Sequence, residues 1–169
     1  MDQQYPSQSC QLNRDLEELA ALATAKGLTV VTAESCTGGL IGGCITSLPG
    51  SSVYYKGGII SYANAIKEKL LGVDGKVLAA AGAVSPQVAA AMAAGAAKTL
   101  EGDLAIAVTG IAGPQADGTE KPVGLVYIGI FYQGQEKVFP FQFSGGRQAI
   151  RQQTAEAAIA LALKVLQGN

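Results

Sequence analysis

The chain has 169 residues, 49% hydrophobic and only 15% charged, enough for one domain with a sizeable core and too few for two. Twelve basic and 13 acidic side chains leave a net charge of −1, which excludes charge-driven binding to nucleic acid or an anionic membrane. Histidine is absent altogether, so Ser-His-Asp triads, Cys-His dyads and histidine-ligated zinc are excluded before any motif is read.

Residues 1–10 are polar, carry no secretory signal pattern, and read as a disordered N-terminus ahead of a single domain over 11–169. Leu12, Leu16, Leu19, Ala20, Leu22 and Ala23 recur at helical spacing until Lys26-Gly27 stops the helix. A β-branched run from Leu28 to Ala33 predicts a strand, Glu34 to Gly39 a turn, and Leu40 to Ser47 a helix ended by Pro49-Gly50. Gly57 to Ala63 reads as a second strand, and a short helix opens at Asn64 or Ala65 and ends at Gly72. The alanine-rich tract 77–97 is broken by Ser85-Pro86, which makes it a poor membrane span and a good helix start running to about Leu100. Leu104 to Thr109 predicts a strand buried on both faces, and residues 110–123 a long loop of the kind that carries function. Strands over 124–132 and 136–143 form a hairpin around Gln133-Gly134, and a final helix runs from Arg147 to about Leu166. The alternation predicts a three-layer α/β/α domain around a mixed sheet. Cys10, Cys36 and Cys44 are an odd number without CxxC spacing, so a disulfide framework or thiolate metal site is not expected and the chain reads as a reduced, cytoplasmic protein.

In open α/β sheets ligands bind beyond the carboxyl ends of the strands, which here means four polar loops. They contain Glu34-Ser35-Cys36-Thr37-Gly38-Gly39, Ser61-Tyr62-Ala63-Asn64-Ala65-Ile66-Lys67, Thr109-Gly110 and Gly145-Gly146-Arg147. Each has a plain structural reading as well: Ser35 as a helix cap, Lys67 as a solvated lysine, Tyr62 as a strand aromatic. Arg147 opening a helix is electrostatically disfavoured and is easier to understand beside an anionic ligand. GxGxxG and GxxxxGK[ST] are both absent, and Tyr62 and Lys67 are five residues apart rather than four, so a nicotinamide hydride-transfer site is disfavoured. Without histidine, a serine nucleophile needs another base, and lysine fills that role where its pKa is lowered to roughly 7–8. Ser35 and Lys67 meet that description, with Tyr62 as a relay between them and the backbone amides around Cys36 to Gly39 as an oxyanion hole. Cys36 is the rival nucleophile.

TAESCTGG at 32–39, SYANAIK at 61–67, GAVS at 82–85, VTGIAGP at 108–114, KPVG at 121–124 and GGR at 145–147 together resemble the C-terminal domain of the competence/damage-inducible protein CinA, a family that includes nicotinamide mononucleotide deamidases. The resemblance runs from about Leu12 to Leu166. It implies an amidohydrolase that converts nicotinamide mononucleotide to nicotinic acid mononucleotide and ammonia, with neither metal nor cofactor. Carried over, the nucleophile falls on Ser35, the base on Lys67 and assistance on Tyr62. Thr109 and Arg147 fall in the site, and Thr37, Gly38, Gly39, Asn64 and Gly110 become substrate contacts or oxyanion donors. The resemblance also implies a homodimer. Longer members carry an N-terminal domain linked to ADP-ribose pyrophosphatase activity, which 169 residues cannot hold, so that activity is not expected. The alternative is a non-catalytic nucleotide-binding module, or a partner subunit in a competence or DNA-damage response.

Overall fold

A computed structural model describes residues 9–169; residues 1–8, most of the stretch expected to be disordered, lie outside the described residues. The first helix, α1 (Cys10–Ala25), begins where Ser9 Oγ accepts the amide of Leu12, and it buries Leu12, Leu16, Leu19 and Ala23, one apolar stripe at helical spacing. The elements that follow are β1 (Val30–Glu34), α2 (Leu40–Thr46), β2 (Tyr55–Ile60), α3 (Asn64–Leu71), α4 (Gly75–Ala81), α5 (Pro86–Leu100), β3 (Leu104–Gly110), β4 (Leu125–Tyr132), β5 (Gln135–Gln142) and α6 (Arg147–Leu166).

The five strands form one sheet in the order β2-β1-β3-β4-β5. β1 pairs in parallel with both β2 and β3, while β4 and β5 run antiparallel. The expected mixed sheet with helices on both faces is what the structure contains. Alternate side chains of the strands enter different layers. Val30, Leu104, Ile106 and Val108 join the core under α1, α2 and α6, whereas Val31, Ala33, Ala105 and Ala107 join the core under α3, α4 and α5.

The second layer is thin because its facing residues are small. A Cβ at Gly129 of β4 would meet the Ala89 carbonyl of α5 at 2.5 Å, and one at Gly95 of α5 would meet the Leu71 carbonyl at the end of α3 at 1.9 Å. The alanine-rich tract therefore packs inside its own domain, and no helix among the described residues is long and apolar enough to cross a membrane. Ser85 caps α5 with Pro86 in its first turn, as the sequence predicts.

Several element ends differ from the sequence reading by a residue or more, and one helix is new. The strand expected over 57–63 starts at Tyr55 and ends at Ile60, and Ser61 and Tyr62 run as irregular chain into a bend at Ala63. The strand expected over 28–33 extends to Glu34 through pairing with Ile60 and Val108. Helix α4 has no counterpart in the sequence reading: Asp74 caps it by accepting the Lys76 amide, but its glycine start and alanine run give no strong apolar period.

Candidate active site

Chain order and strand order diverge at β1. The connection from β1 leads outward to β2, and the connection from β2 returns across the sheet to β3. The carboxyl ends of these parallel strands therefore open a crevice, and the loops after β1, β2 and β3 enter it. A cavity of about 170 Å³ lies there, lined by Ser35, Cys36, Tyr62, Asn64, Lys67, Ala83, Val84, Thr109, Gly110, Ala112, Asp117 and Arg147. A larger surface groove of about 300 Å³ lies near Lys26, Tyr132, Lys137 and Gln167, toward the amino end of β3, but it gathers no nucleophile with a base.

Ser35 is fixed just past β1, where its amide donates to the Val108 carbonyl at 3.1 Å and continues the sheet pairing. Lys67 projects from the first turn of α3. It is 1% exposed, one of the largest fully buried side chains among the described residues, and none of their carboxylates lies within ion-pair distance of it. Its Nζ reaches Ser35 Oγ at 3.1 Å, the Ser61 carbonyl at 2.6 Å and the Tyr62 carbonyl at 3.3 Å. Burial disfavours the ammonium and lowers the Lys67 pKa from 10.5 to about 8. A neutral amine has two N–H bonds and one lone pair. The two carbonyls accept the N–H bonds, so the lone pair faces the Ser35 hydroxyl, as a general base requires.

Tyr62 sits elsewhere in the constellation than a relay would. Lys67 reaches Ser35 directly, and the Tyr62 hydroxyl instead accepts from Arg147 Nη2 at 3.0 Å. Arg147 also donates through Nη1 to the Gly113 carbonyl at 2.7 Å, tying the start of α6 to the loop after β3. Its positive charge has no carboxylate within ion-pair distance: the one ion pair among the described residues joins Lys56 to Glu101.

Of the residues singled out from sequence, Ser35, Tyr62, Asn64, Lys67, Thr109, Gly110 and Arg147 come together around the cavity. Thr37, Gly38 and Gly39 do not line it. Thr37 is fully buried with its hydroxyl on Glu34, Gly38 donates its amide to the Ser35 carbonyl, and Gly39 donates to Glu34. Of the amides from Cys36 to Gly39, those of Gly38 and Gly39 are therefore taken by acceptors inside the loop and β1. Thr109 lines the cavity while its hydroxyl donates to the Ala83 carbonyl at 2.7 Å, so it holds the turn between α4 and α5 against the site. Lys121 fastens the same turn from the long loop, donating to the carbonyls of Ala81 at 2.8 Å and Val84 at 2.5 Å. Cys36 is buried. Desolvation, with Glu34 nearby, pushes its thiol up to about 11.

Asp117 is the carboxylate of the cavity wall, and sequence reasoning did not single it out. Thr119 donates to it through both hydroxyl and amide and holds its pKa below the usual aspartate value. Its position among turn-forming residues was the available signal. Among the described residues, no group of three or more His, Cys, Asp or Glu side chains could hold a metal ion.

The sequence matches the family model described as the CinA C-terminal domain over residues 13–166. It is 50% identical over 141 residues to a CinA-like protein of Geobacter sulfurreducens, covering 83% of this chain and 34% of that protein. The chain spans about a third of the length of the curated relatives it matches. Among solved structures it is similar to the competence/damage inducible protein of Agrobacterium tumefaciens, with 38% identity, TM-score 0.90, and 96% of this chain and 99% of that one covered. A CinA superfamily protein from Enterobacter cloacae superposes with TM-score 0.91 at 28% identity, covering 98% of both chains.

Proposed function

This chain belongs to the CinA C-terminal domain family, and from that premise we propose that it is an amidohydrolase releasing ammonia from nicotinamide mononucleotide. The observation that carries the reading is the buried Lys67 amine, its pKa lowered to about 8, 3.1 Å from Ser35 Oγ with two carbonyls on its other side. A lysine kept only for surface solubility has no reason to be buried against a hydroxyl.

In this mechanism Ser35 Oγ attacks the carboxamide carbon as Lys67 takes its proton, and the carbonyl π bond becomes a tetrahedral oxyanion. The amide of Cys36, a residue of the cavity wall, stabilises that charge. When the C–N bond breaks, Lys67 returns its proton to the departing amine, leaving ammonia and an acyl ester on Ser35. Water, deprotonated by the same Lys67, then cleaves the ester to the nicotinate carboxylate and restores the serine. The net reaction consumes one water and releases one ammonia.

The charge pattern supports a phosphorylated substrate. The cavity is smaller than the roughly 300–1,000 Å³ of a site enclosing a whole ligand, so it holds the reacting ring and leaves the phosphate at the rim. Arg147 lines the cavity as a cation with no carboxylate among the described residues within ion-pair distance, although Asp117 stands in the same wall. Tyr62, held by Arg147, orients that guanidinium.

The test is ammonia release from nicotinamide mononucleotide by the wild type beside Ser35→Ala. Turnover that disappears in the variant supports the reading. Saturable binding of the nucleotide with no ammonia over pH 6–9 would instead make the chain a nucleotide-binding module. The homodimer implied by the family resemblance is part of the same proposal, and light scattering of the purified chain decides it.

A further inference from the structure

The segment after Ser35 has its polar backbone groups claimed from two sides. On one side is the buried carboxylate of Glu34. Its Oε2 accepts from Thr37 Oγ1 at 2.6 Å, the Gly39 amide at 3.0 Å and the Ile41 amide at 3.1 Å, and its Oε1 accepts from the Gly42 amide at 2.9 Å. On the other side is Arg151 of α6. It donates through Nε to the Cys36 carbonyl at 3.2 Å and through Nη2 to the Thr37 carbonyl at 2.8 Å, while Gln148 Oε1 holds its Nη1 at 2.8 Å. The Gly38 amide turns back to the Ser35 carbonyl at 3.1 Å. Within this segment the Thr37 amide has no acceptor among the described residues, and the Cys36 amide meets only its own thiol.

A peptide unit is planar, with its C=O and N–H pointing in opposite directions. Drawing the Cys36 carbonyl onto Arg151 therefore fixes the Thr37 amide away from α6. Drawing the Gly39, Ile41 and Gly42 amides onto Glu34 anchors the start of α2 and prevents the loop from rotating about that end. Neither Glu34 nor Arg151 lines the cavity. We propose that Arg151 and Glu34 are positioning residues for the oxyanion hole: they occupy the competing polar groups of the loop so that the amide of Cys36, in the cavity wall, stays fixed for the developing charge, with the Thr37 amide beside it taken by no other acceptor. This rests on the amidohydrolase reading.

A residue that positions only the oxyanion donors alters the transition state and leaves substrate binding alone. Arg151→Lys keeps the charge but lacks the planar fork that reaches two carbonyls. The expected result is a fall in kcat on the order of 100-fold with KM changed less than about threefold. Arg151→Ala should lose at least as much and regain activity when guanidinium ion is added, which a merely structural arginine would not show. Glu34→Gln presents an NH2 where the loop offers only donors and should lower kcat in the same way.

A second readout does not depend on the nucleotide: the rate at which Ser35 is acylated by p-nitrophenyl acetate, followed by mass spectrometry of the serine peptide. The proposal expects this rate to fall in parallel with kcat across the three variants. Unchanged kcat and acylation in Arg151→Lys and Glu34→Gln, with only a lower melting temperature, overturns it, as does a rise in KM at constant kcat. If wild-type Ser35 is acylated but no ammonia leaves nicotinamide mononucleotide, the substrate reading fails and the acylation ratios alone decide this one. If wild-type Ser35 is not acylated, both fail.

Discussion

Lys67 Nζ lies closer to the Ser61 carbonyl, at 2.6 Å, than to Ser35 Oγ, at 3.1 Å. The amine is tethered behind and presented in front, by a carbonyl that sits there because β2 ends one residue earlier, at Ile60.

The first prediction is the pH profile of ammonia release. In the proposed reaction Lys67 must be neutral to take the serine proton, and its pKa is lowered to about 8. kcat/KM should rise about tenfold per pH unit up to roughly pH 8 and then level, since the neutral fraction of the amine saturates there. With no histidine in the chain, no imidazole titration adds to the acid limb. A flat profile between pH 6 and 9 would remove Lys67 as the base.

The same lowered pKa makes a statement about stability. Below about pH 8 Lys67 is protonated in both the folded and unfolded chains, and the folded state carries the full cost of a buried ammonium. Between about 8 and 10.5 the unfolded chain binds the extra proton, so folding becomes more favourable as pH rises through that window. Wild type should therefore gain melting temperature relative to Lys67→Met between pH 8 and 10, measured by calorimetry. A gap between the two that is constant or moves the other way contradicts the assignment.

Cys36 lines the cavity but is a poor nucleophile, with its thiol pushed up to about 11. At pH 7.5 fewer than about one thiol in a thousand is ionised, and the thiolate is the reactive form. Cys36→Ala should keep kcat within a few-fold, while Ser35→Ala loses it. Iodoacetamide should modify exposed Cys10 well before Cys36. Loss of turnover in Cys36→Ala with retention in Ser35→Ala would exchange the two roles.

Two helical glycines should respond in opposite directions to alanine. At Gly95 the new Cβ would stand 1.9 Å from the Leu71 carbonyl, which is backbone and cannot swing aside. Gly95→Ala should cost about 2 kcal/mol or more despite its better helix propensity. At Gly43 of α2 nothing lies within 4 Å, so Gly43→Ala should stabilise by about 0.5–1 kcal/mol. Urea midpoints with unchanged slopes measure both, and a Gly95→Ala midpoint at or above wild type would deny the close crossing of α3 and α5.

Much of the fold was legible because local physics repeats in the sequence. The apolar run at 104–109, the Ser85-Pro86 start and the Gln133-Gly134 hairpin each carry their own signal, and each formed. The site was legible at the loops, since strand ends are where polar residues gather. What escaped was set by contacts far apart in the chain. Arg151 lies 114 residues from Thr37 and reads as one polar position on a helix. Glu34 reads as a turn residue, because nothing local shows that four donors will converge on it. The family resemblance puts Thr37, Gly38 and Gly39 among the substrate contacts or oxyanion donors, on a glycine-rich loop. In the structure the bonds at Thr37 and Gly39 to Glu34 and of the Gly38 amide to Ser35 use those groups internally.

Glu34 and Ser35 are neighbours in the chain, yet they serve opposite sides of the sheet: Glu34 bonds the amides that open α2, and Ser35 meets Lys67 of α3. The sheet acts as a partition, with the Ser35–Lys67 pair in one compartment and the groups that hold its loop in the other. Under the proposed reaction, change at Glu34 or Arg151 would act as a rate dial, whereas Arg147, at the start of the same helix as Arg151, lines the cavity and bears on what it admits. Throughput and substrate range would then be adjusted at different residues of one small domain.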